Sequence, residues 1–458
     1  MSEHYLPMGD ALTVSSLDTI PTDDNIYTFV KHSYAGTGGY KSGDYLIKHD
    51  KEDTIRRRKK SVFYKNYVKG IIDSLITPVF TDEALRVTNN DIFQAFLDDV
   101  DNKGNDIQSF SKVVLKYTRM HGVCFTLMDN FAYEMPETKD EVLETRSYPY
   151  IMFKTADQVG HIETDDFGKL EEISFIDDVC VEAGVTKITY RLWTPEYTVE
   201  YEIRDGHRYE LEERFEHGLG FLPVIATYID MDSDVMPQPP IYDICRMNYT
   251  IYNMDSEQRN LERLTAFPML SIQSKDSNAN VNIGADSLLV YGGEYDGSVT
   301  APSWINPGAD ILTVLNTLSN ELLAKLIESA NVIGATAVNN GNASKSGVAM
   351  SYEFLGQSYA LKETARIAEN FELMVSIMFG LYIDQTVEYS VRYQSNYKPS
   401  QDEINKKVEL LQKIIDMGIS EQITATMQAE LIKDVVSYYK IDFDIDKLIQ
   451  SIATNNLI

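Results

Sequence analysis

Two long helical patterns, with a short non-helical stretch between them, constrain the fold of this chain more than any other feature. The first, PQPPIYDICRMNYTIYNMDSEQRNLERL (237–264), follows a cluster of prolines and repeats its apolar residues at helical spacing. The second, ADILTVLNTLSNELLAKLIESANVI (309–333), carries an apolar stripe from Ile311 to Leu326. Residues 267–308 are short apolar runs broken by Gly and Asp turns, which predict short strands. The sequence therefore predicts a small β-rich insert held between two long helices.

The N-terminal half combines helical and β-rich segments. Residues 49–76 begin with acidic and continue with basic residues, as suits a helix dipole, and Pro78 ends the predicted helix. Residues 91–129 predict two further helices separated by DNKGND. From about Tyr148, short runs rich in Tyr, Ile and Val alternate with turns and predict an antiparallel sheet. The expected fold class is therefore α+β.

The C-terminal part is predicted to be helical after one polar segment. Residues 334–353 are small, polar and rich in Gly, Asn and Ser, which is typical of a loop. Residues 354–388 predict one long helix, and the tail at 389–458 is predicted to be helical as well. A polar loop of this length inside a folded protein usually has a function or is disordered.

The charge excludes some classes of partner. The 458 residues carry a formal net charge of −29, which argues against a basic groove for nucleic acid and against docking on an anionic membrane. The three cysteines lie far apart and form no C-x-x-C pair, which favours a reduced, intracellular protein. The sequence shows no signal-peptide pattern and no apolar run of ~18 residues. We therefore expect a soluble protein that is made in the cytosol.

The loop GTGGYKSG (36–43) comes close to a nucleotide-binding motif. A phosphate-binding loop needs adjacent Gly and Lys between a strand and a helix, but here Tyr40 separates Gly39 from Lys41. This departure favours a structural glycine turn. The sequence contains no other catalytic signature, so we expect no catalytic residue and no cofactor.

Acidic turns and a His–Cys pair are the candidates for a metal site. The segment that starts at Asp99 resembles a calcium loop, but Lys103 and Phe110 stand where ligands are required. The turn at 230–234 lacks the central glycine, and an adventitious divalent ion there stays an alternative. His121 and Cys124 have no second pair to complete a zinc site, which favours a core position for both. We therefore expect no metal site.

A basic run, RRRKK (56–60), stands out in this acidic chain. One interpretation is the solvated face of a helix. The other is a contact to an acidic surface of a neighbouring subunit or to DNA phosphates, and the sequence leaves both open.

The order of these segments resembles the portal (head-tail connector) proteins of tailed bacteriophages, from about Tyr34 to the end of the chain. Portal-like features are a Tyr/Gly loop before a helix with an R…Y-x-N pattern, a helix that follows prolines and ends in x-P-x-L, and SKSGVAMSYEF before a long helix. The matching residues are Arg58, Tyr64 and Asn66 in the first motif, and Asn248, Ser256, Gln258, Arg259, Pro268 and Leu270 in the second.

The resemblance implies the portal fold and its division into parts. The implied parts are a wing (1–238), a first stem helix (239–266), a clip (267–308), a second stem helix (309–333), a tunnel loop (334–353), a long wing helix (354–388) and a helical crown (389–458).

The resemblance also implies a function. Portal proteins form rings of twelve subunits at one capsid vertex and act as passive channels for double-stranded DNA during genome packaging and ejection. Expected partners are further copies of the chain, the terminase motor, the capsid, scaffold and tail-adaptor proteins. The expected location is the virion, after assembly in the bacterial cytoplasm.

Three groups of site residues follow from this interpretation. The loop residues Asn339, Asn340, Ser344, Lys345 and Ser346 would line the DNA channel. The clip residues Tyr291, Tyr295 and Trp304 would contact the motor or adaptor, although folding of the clip could equally use them. Subunit contacts are expected at Arg56, Arg57, Arg58 and Arg259.

The charge agrees with a conduit. A ring of twelve such chains would carry roughly −350, and a wall of like charge does not hold DNA by counterion release.

Two alternatives stay open. One is an acidic scaffold or tail-adaptor protein without a DNA channel. The other is a metal-dependent hydrolase or nuclease that uses the acidic clusters near Asp99 and Asp230.

Overall fold

The computed structural model describes residues 25–48, 55–130, 138–182, 185–204, 207–230, 235–266, 269–274, 288–292, 303–305, 309–332, 347–393, 408 and 412. The chain divides into two compact units, Met1–Gln394 and Ser395–Ile458. Every element below belongs to the first unit, which mixes helices and sheets.

The N-terminal part is mainly helical. Its elements are α1 (Ile26–Ala35), α2 (Gly39–Ser42), α3 (Ile55–Ser61), α4 (Tyr67–Ile76), a 3₁₀ turn (Thr77–Phe80), β1 (Leu85–Thr88), α5 (Asp91–Asp98) and α6 (Ile107–His121).

The single helix predicted over 49–76 is wrong, because α3 and α4 are separate helices with a break between them. Asn66 starts the second helix: its side-chain oxygen accepts a hydrogen bond from Lys69 N at 2.9 Å. An N-cap of this kind satisfies a backbone N–H that has no partner inside the helix. The predicted end near Pro78 is confirmed, since α4 stops at Ile76.

A strand follows the two helices predicted in 91–129. Strand β2 (Val123–Asp129) is buried on both faces and forms a three-stranded antiparallel sheet with β3 (Tyr150–Thr155) and a later strand, β10 (Val224–Tyr228). The short helix α7 (Lys139–Thr145) precedes β3. Because both faces of β2 are apolar, its sequence lacks the alternation that identifies a half-buried strand.

The predicted antiparallel sheet is confirmed. Five strands lie side by side in chain order: β4 (Val159–Thr164), β5 (Leu170–Glu182), β6 (Val185–Trp193), β7 (Tyr197–Arg204) and β8 (His207–Glu210). A sixth strand, β9 (Phe215–Glu216), pairs with β7. Strand β10 then returns to β2.

The predicted helix–insert–helix order is present. Helix α8 (Tyr242–Ala266) leads into β11 (Met269–Ser274), β12 (Leu288–Gly292) and β13 (Ser303–Ile305), and α9 (Ala309–Val332) follows. The central strand β11 pairs in parallel with β12 and antiparallel with β13. The bounds of these elements lie close to those predicted from the sequence for the two long helices and the β-rich insert.

Two predicted boundaries in the C-terminal part are wrong. Helix α10 (Gly347–Tyr382) begins inside the segment expected to be a loop at 334–353. The tail expected to be helical from 389 starts instead with strand β14 (Tyr389–Arg392), which pairs with β1. That partner is remote in sequence, so local pattern does not reveal the pairing.

The largest core cluster joins α1, α4, α8, α9 and α10. A second cluster joins α5, α6 and β2 to the later part of α10. Helix α10 therefore shares a core cluster with α8 and α9 through its earlier part, and one with α5, α6 and β2 through its later part.

Candidate functional site at the two long helices

A cluster of tyrosines joins the glycine loop to α8. The ring of Tyr40 stacks on Tyr64 with centroids 3.9 Å apart and meets the edge of Tyr252 at 5.2 Å. The Tyr252 hydroxyl donates to the Tyr40 carbonyl at 3.3 Å. Burial raises the pKa of Tyr40 and Tyr64, and raises that of Tyr252 to about 12. The loop therefore serves as a packing surface for α8.

The glycines of this loop are required by close contacts. A Cβ on Gly39 would lie 2.0 Å from the Tyr45 ring, and one on Gly38 would lie 2.2 Å from the His32 ring. The amides of Lys41 and Ser42 both donate to the Gly38 carbonyl. Because these amides close the turn, the expectation of a structural loop agrees with the geometry.

Two asparagines of α8 form hydrogen bonds with the backbone at the segments that connect α2 to α3 and α3 to α4. Asn253 accepts from Ile47 N at 2.8 Å and donates to the Tyr45 carbonyl at 3.2 Å. Asn248 accepts from Tyr67 N at 3.0 Å and donates to the Lys65 carbonyl at 3.0 Å. Buried amides that are fully paired in this way fix the position of one element on another.

Arg58 lies inside the unit, which corrects its predicted role as a contact to a neighbouring subunit. Its side chain is 2% exposed. Its Nε donates to Ser256 Oγ at 3.0 Å and its Nη1 donates to the Ile47 carbonyl at 3.1 Å. The basic run suggested a solvated helix face, but α3 turns this residue toward α8.

Arg259 is half-buried and bonds within the chain. Its Nη1 donates to the Ser61 carbonyl at 3.0 Å, and its guanidinium lies 4.2 Å from the centroid of the exposed Phe63 ring. Close by, Lys65 pairs with Asp255 at 2.8 Å. The side chains of Arg56 and Arg57 lie outside the described part, and subunit contacts through them and Arg259 stay predictions.

A polar groove runs between α8 and α9. Its volume is about 240 Å³, and it is lined by Lys65, Asp255, Gln258, Arg259, Glu262, Asn316, Ser319 and Asn320.

The first half of α9 carries an exposed apolar stripe. Ile311, Val314 and Leu318 are 51%, 56% and 47% exposed. Their i, i+3, i+7 spacing places them on one face of the helix. Further along α9, Leu326 and Ala330 are buried in the core. Within the described part of the chain, the helix is therefore packed at one end and presents half-exposed apolar side chains at the other.

Most of the predicted channel and clip residues lie outside the described part of the chain. This applies to Asn339, Asn340, Ser344, Lys345, Ser346 and Tyr295. For Tyr291 and Trp304 only the backbone is described, in β12 and β13. Their roles stay predictions.

The loop at Asp99 closes on itself. Asp99 Oδ1 accepts from the amides of Lys103 and Gly104, at 3.1 and 2.9 Å, and Asp101 accepts from Asn105 N at 3.3 Å. The carboxylates cap a turn between two helices, which agrees with the structural interpretation. Of the second acidic turn, only residue 230 is described.

His121 and Cys124 are both buried. Burial lowers the pKa of His121 to about 4, against a smaller upward effect of Asp157, and burial raises the pKa of the Cys124 thiol. Both residues occupy the core, as expected.

The sequence analysis missed a buried charge pair at Glu372. Its carboxylate, 0% exposed, accepts from Arg86 Nε at 2.9 Å and Arg86 Nη2 at 2.8 Å. It also accepts from the hydroxyls of Tyr389 and Tyr393. A signal existed, since Glu372 shares the apolar face of α10 with Ala368 and Val375.

Within the described residues, no helix combines the length and apolarity needed to span a bilayer.

Comparisons with known proteins give weak likenesses only. No family model matches the chain, and no curated protein matches its sequence. A chain in the virion of a native gene transfer agent (GTA) particle is similar at a TM-score of 0.39 and 9% identity, over 86% of this chain and 95% of that one. A chain in the neck of an empty GTA particle reaches a TM-score of 0.41 and 8% identity, over 83% and 94%. TM-scores below 0.5 assign neither a family nor a function.

Proposed function

We propose that this chain is a portal subunit, which forms a ring around a passive channel for double-stranded DNA at one capsid vertex. The observation that carries the proposal is the apolar stripe of Ile311, Val314 and Leu318 on α9, at the end of the helix next to the β-rich insert. Three neighbouring apolar side chains that are about half exposed on one helix face call for a partner surface.

A ring of identical copies supplies that partner surface. In a closed ring each subunit covers the stripe of its neighbour, so no stripe is left exposed. The anchoring of α8 by Arg58, Asn248 and Asn253 fits this role, because a stem must keep its orientation when subunits pack around a channel.

The charge supports a passive role for the channel. At −29 for each chain, a ring repels the phosphate backbone and leaves the duplex free to slide. We assign the narrowest point of the DNA channel to one polar segment, which offers one cation and several hydrogen-bond donors to the phosphates. This segment contains Asn339, Asn340, Ser344, Lys345 and Ser346. The terminase and the tail adaptor would dock on the clip, with Tyr291, Tyr295 and Trp304 as candidate contacts.

Electron microscopy of the purified protein tests the proposal. We expect end-on class averages of a closed ring near twelvefold symmetry, with a central hole wide enough for a duplex of ~20 Å. A closed ring whose hole is too narrow for duplex contradicts the portal proposal and favours the scaffold or adaptor alternative.

A matched pair of variants tests the stripe. Val314→Asp places a charge on the apolar stripe, whereas Thr313→Asp places the same charge at an exposed position of α9 that lies off the stripe. We expect Val314→Asp to abolish rings and Thr313→Asp to keep them, as measured by mass photometry. Equal effects of the two variants would contradict a subunit interface at the stripe.

A second pair tests the channel segment. We expect Lys345→Ala and, as a separate variant, deletion of 339–346 each to reduce retention of packaged DNA while rings still form. Normal DNA passage and retention in both variants would contradict this assignment.

A further inference from the structure

The edge of the six-stranded sheet brings together three side chains that can bind a metal. His161 and Glu163 lie two residues apart on β4, and therefore on the same face. Glu172 on β5 lies directly opposite Glu163. One imidazole nitrogen and one oxygen from each carboxylate lie within 4.8 Å of one another, and all three side chains are half-buried.

We propose that His161, Glu163 and Glu172 bind a divalent transition metal of the zinc class. Zinc binds imidazole nitrogen and carboxylate oxygen at about 2.0–2.2 Å, so atoms this close converge on one ion after small side-chain rotations. Three protein ligands leave a fourth position for water. The imidazole ligand favours zinc over magnesium or calcium, which prefer oxygen ligands alone.

The electrostatics of the two carboxylates favour a bound cation. Like charges directly opposite each other on neighbouring strands destabilise a sheet. Neither Glu163 nor Glu172 forms an ion pair within the described part of the chain. Arg208 and Arg214 act on Glu172 from a distance, but Arg208 lies 4.5 Å over the Tyr201 ring and Arg214 pairs with Glu210 at 2.9 Å.

The backbone of β4 is irregular on both sides of the cluster. The register with β5 shifts between Val159 and His161, and again between Glu163 and Thr164. Irregularities of this kind redirect side chains, and they are over-represented next to functional sites. Here they flank the two ligands that β4 contributes.

A metal at this position would fasten an edge strand to its neighbour. Among the strands that the structure describes, β4 pairs with β5 alone, and its outer edge faces no other described strand. An ion held by two residues of β4 and one of β5 would cross-link the pair and stabilise it against separation. This inference does not depend on the proposed ring.

Metal titration of the full chain tests the proposal. After chelator treatment and buffer exchange, Zn²⁺ is titrated by calorimetry, and Co²⁺ is titrated by its visible absorption in the presence of excess Mg²⁺. We expect one high-affinity site for each chain, with Co²⁺ absorption typical of low coordination. We expect a higher melting temperature with Zn²⁺.

Variants assign the site to these residues. His161→Ala and Glu163→Gln should each weaken Zn²⁺ binding at least tenfold and remove the thermal shift. The control variants His207→Ala, on β8 of the same sheet, and Glu171→Gln, next to a ligand, should bind as the unaltered chain does. Because Glu163→Gln keeps the size of the side chain, it covers the case in which His161→Ala fails to fold.

Two results would overturn the proposal. One is the absence of a stoichiometric Zn²⁺ or Co²⁺ site in the unaltered chain. The other is binding that His161→Ala and Glu163→Gln leave unchanged, which would place the ion elsewhere in this acidic protein.

Discussion

Replacing Glu372 by Gln should destabilise the first unit more than any comparable surface change. The carboxylate is fully buried and accepts hydrogen bonds from Arg86 and from the hydroxyls of Tyr389 and Tyr393. The amide keeps the size of the side chain but removes its charge, and leaves the guanidinium without a counter-ion. Removing one partner of a buried ion pair costs about 3–5 kcal/mol.

The same helix offers a matched control. Glu363 pairs with Arg119 at 2.8 Å, but its side chain is 36% exposed and solvent screens the interaction. Glu363→Gln should therefore cost at most about 1 kcal/mol.

Urea unfolding followed by tryptophan fluorescence measures both variants. Trp193 lies buried in the sheet of the first unit and reports on its unfolding. If the two variants unfold within about 1 kcal/mol of each other, burial does not set the strength of the Glu372 pair and the reasoning is refuted. Replacing both partners, as Arg86→Met with Glu372→Leu, should recover part of the loss, because no buried charge then stays unpaired although the hydroxyls of Tyr389 and Tyr393 lose this acceptor.

Four further substitutions have outcomes that follow from the structure. Gly39→Ala should lower the free energy of unfolding in urea by about 1–3 kcal/mol, because the added Cβ would overlap the Tyr45 ring. Gly70→Ala in α4, where the added Cβ would meet open space, should raise it by about 0.5–1 kcal/mol. Burial lowers the pKa of His121 from 6.5 to about 4, so the free energy of unfolding should fall by about 3 kcal/mol as the pH drops from 6.5 toward 4, and above pH 6.5 none of it is lost. His121→Gln should flatten this part of the pH profile of urea unfolding. An unchanged profile in this variant would contradict the prediction. Arg58→Met should cost about 3 kcal/mol in the same assay through two lost hydrogen bonds, and a loss below 1 kcal/mol would count against its anchoring role.

Elements whose pattern is local were predicted well. The second long helix was expected at 309–333 and is found at Ala309–Val332, because its apolar stripe repeats over several turns. The antiparallel sheet followed from Tyr, Ile and Val runs between turns. The break before Tyr67 was missed, since the cap at Asn66 and the hydrogen bonds of Asn248 to the backbone of Lys65 and Tyr67 act together only in the folded chain.

Elements that depend on remote contacts were not predictable. Strand β2 is covered on both faces, and its seven residues do not distinguish a strand from a helical turn. The burial of Arg58 depends on Ser256, which lies about two hundred residues further along the chain. A basic run predicts charge at the surface, but it does not show which of its members turns inward.

The candidate site was predicted in outline only. The two long helices and the β-rich insert between them were placed closely, whereas the exposed stripe of Ile311, Val314 and Leu318 became visible only with the burial of each side chain. The sequence predicted the apolar residues of α9, and packing decides which of them stay uncovered.

The pairing of Leu85 with Arg392 means that the first unit can finish folding only after nearly all of it has been synthesised. A ribosome adds residues at ~5–20 each second, so β1 waits about 15–60 seconds for β14 to be made. Glu372 reaches Arg86 only near the end of the same interval. A chain that ends between α9 and Glu372 lacks both the β1–β14 pairing and the Arg86–Glu372 ion pair, although α9 and its apolar stripe have already been made. Such incomplete chains therefore expose the apolar stripe while the first unit is still only partly folded. We expect chaperones and proteases to bind them before they can assemble.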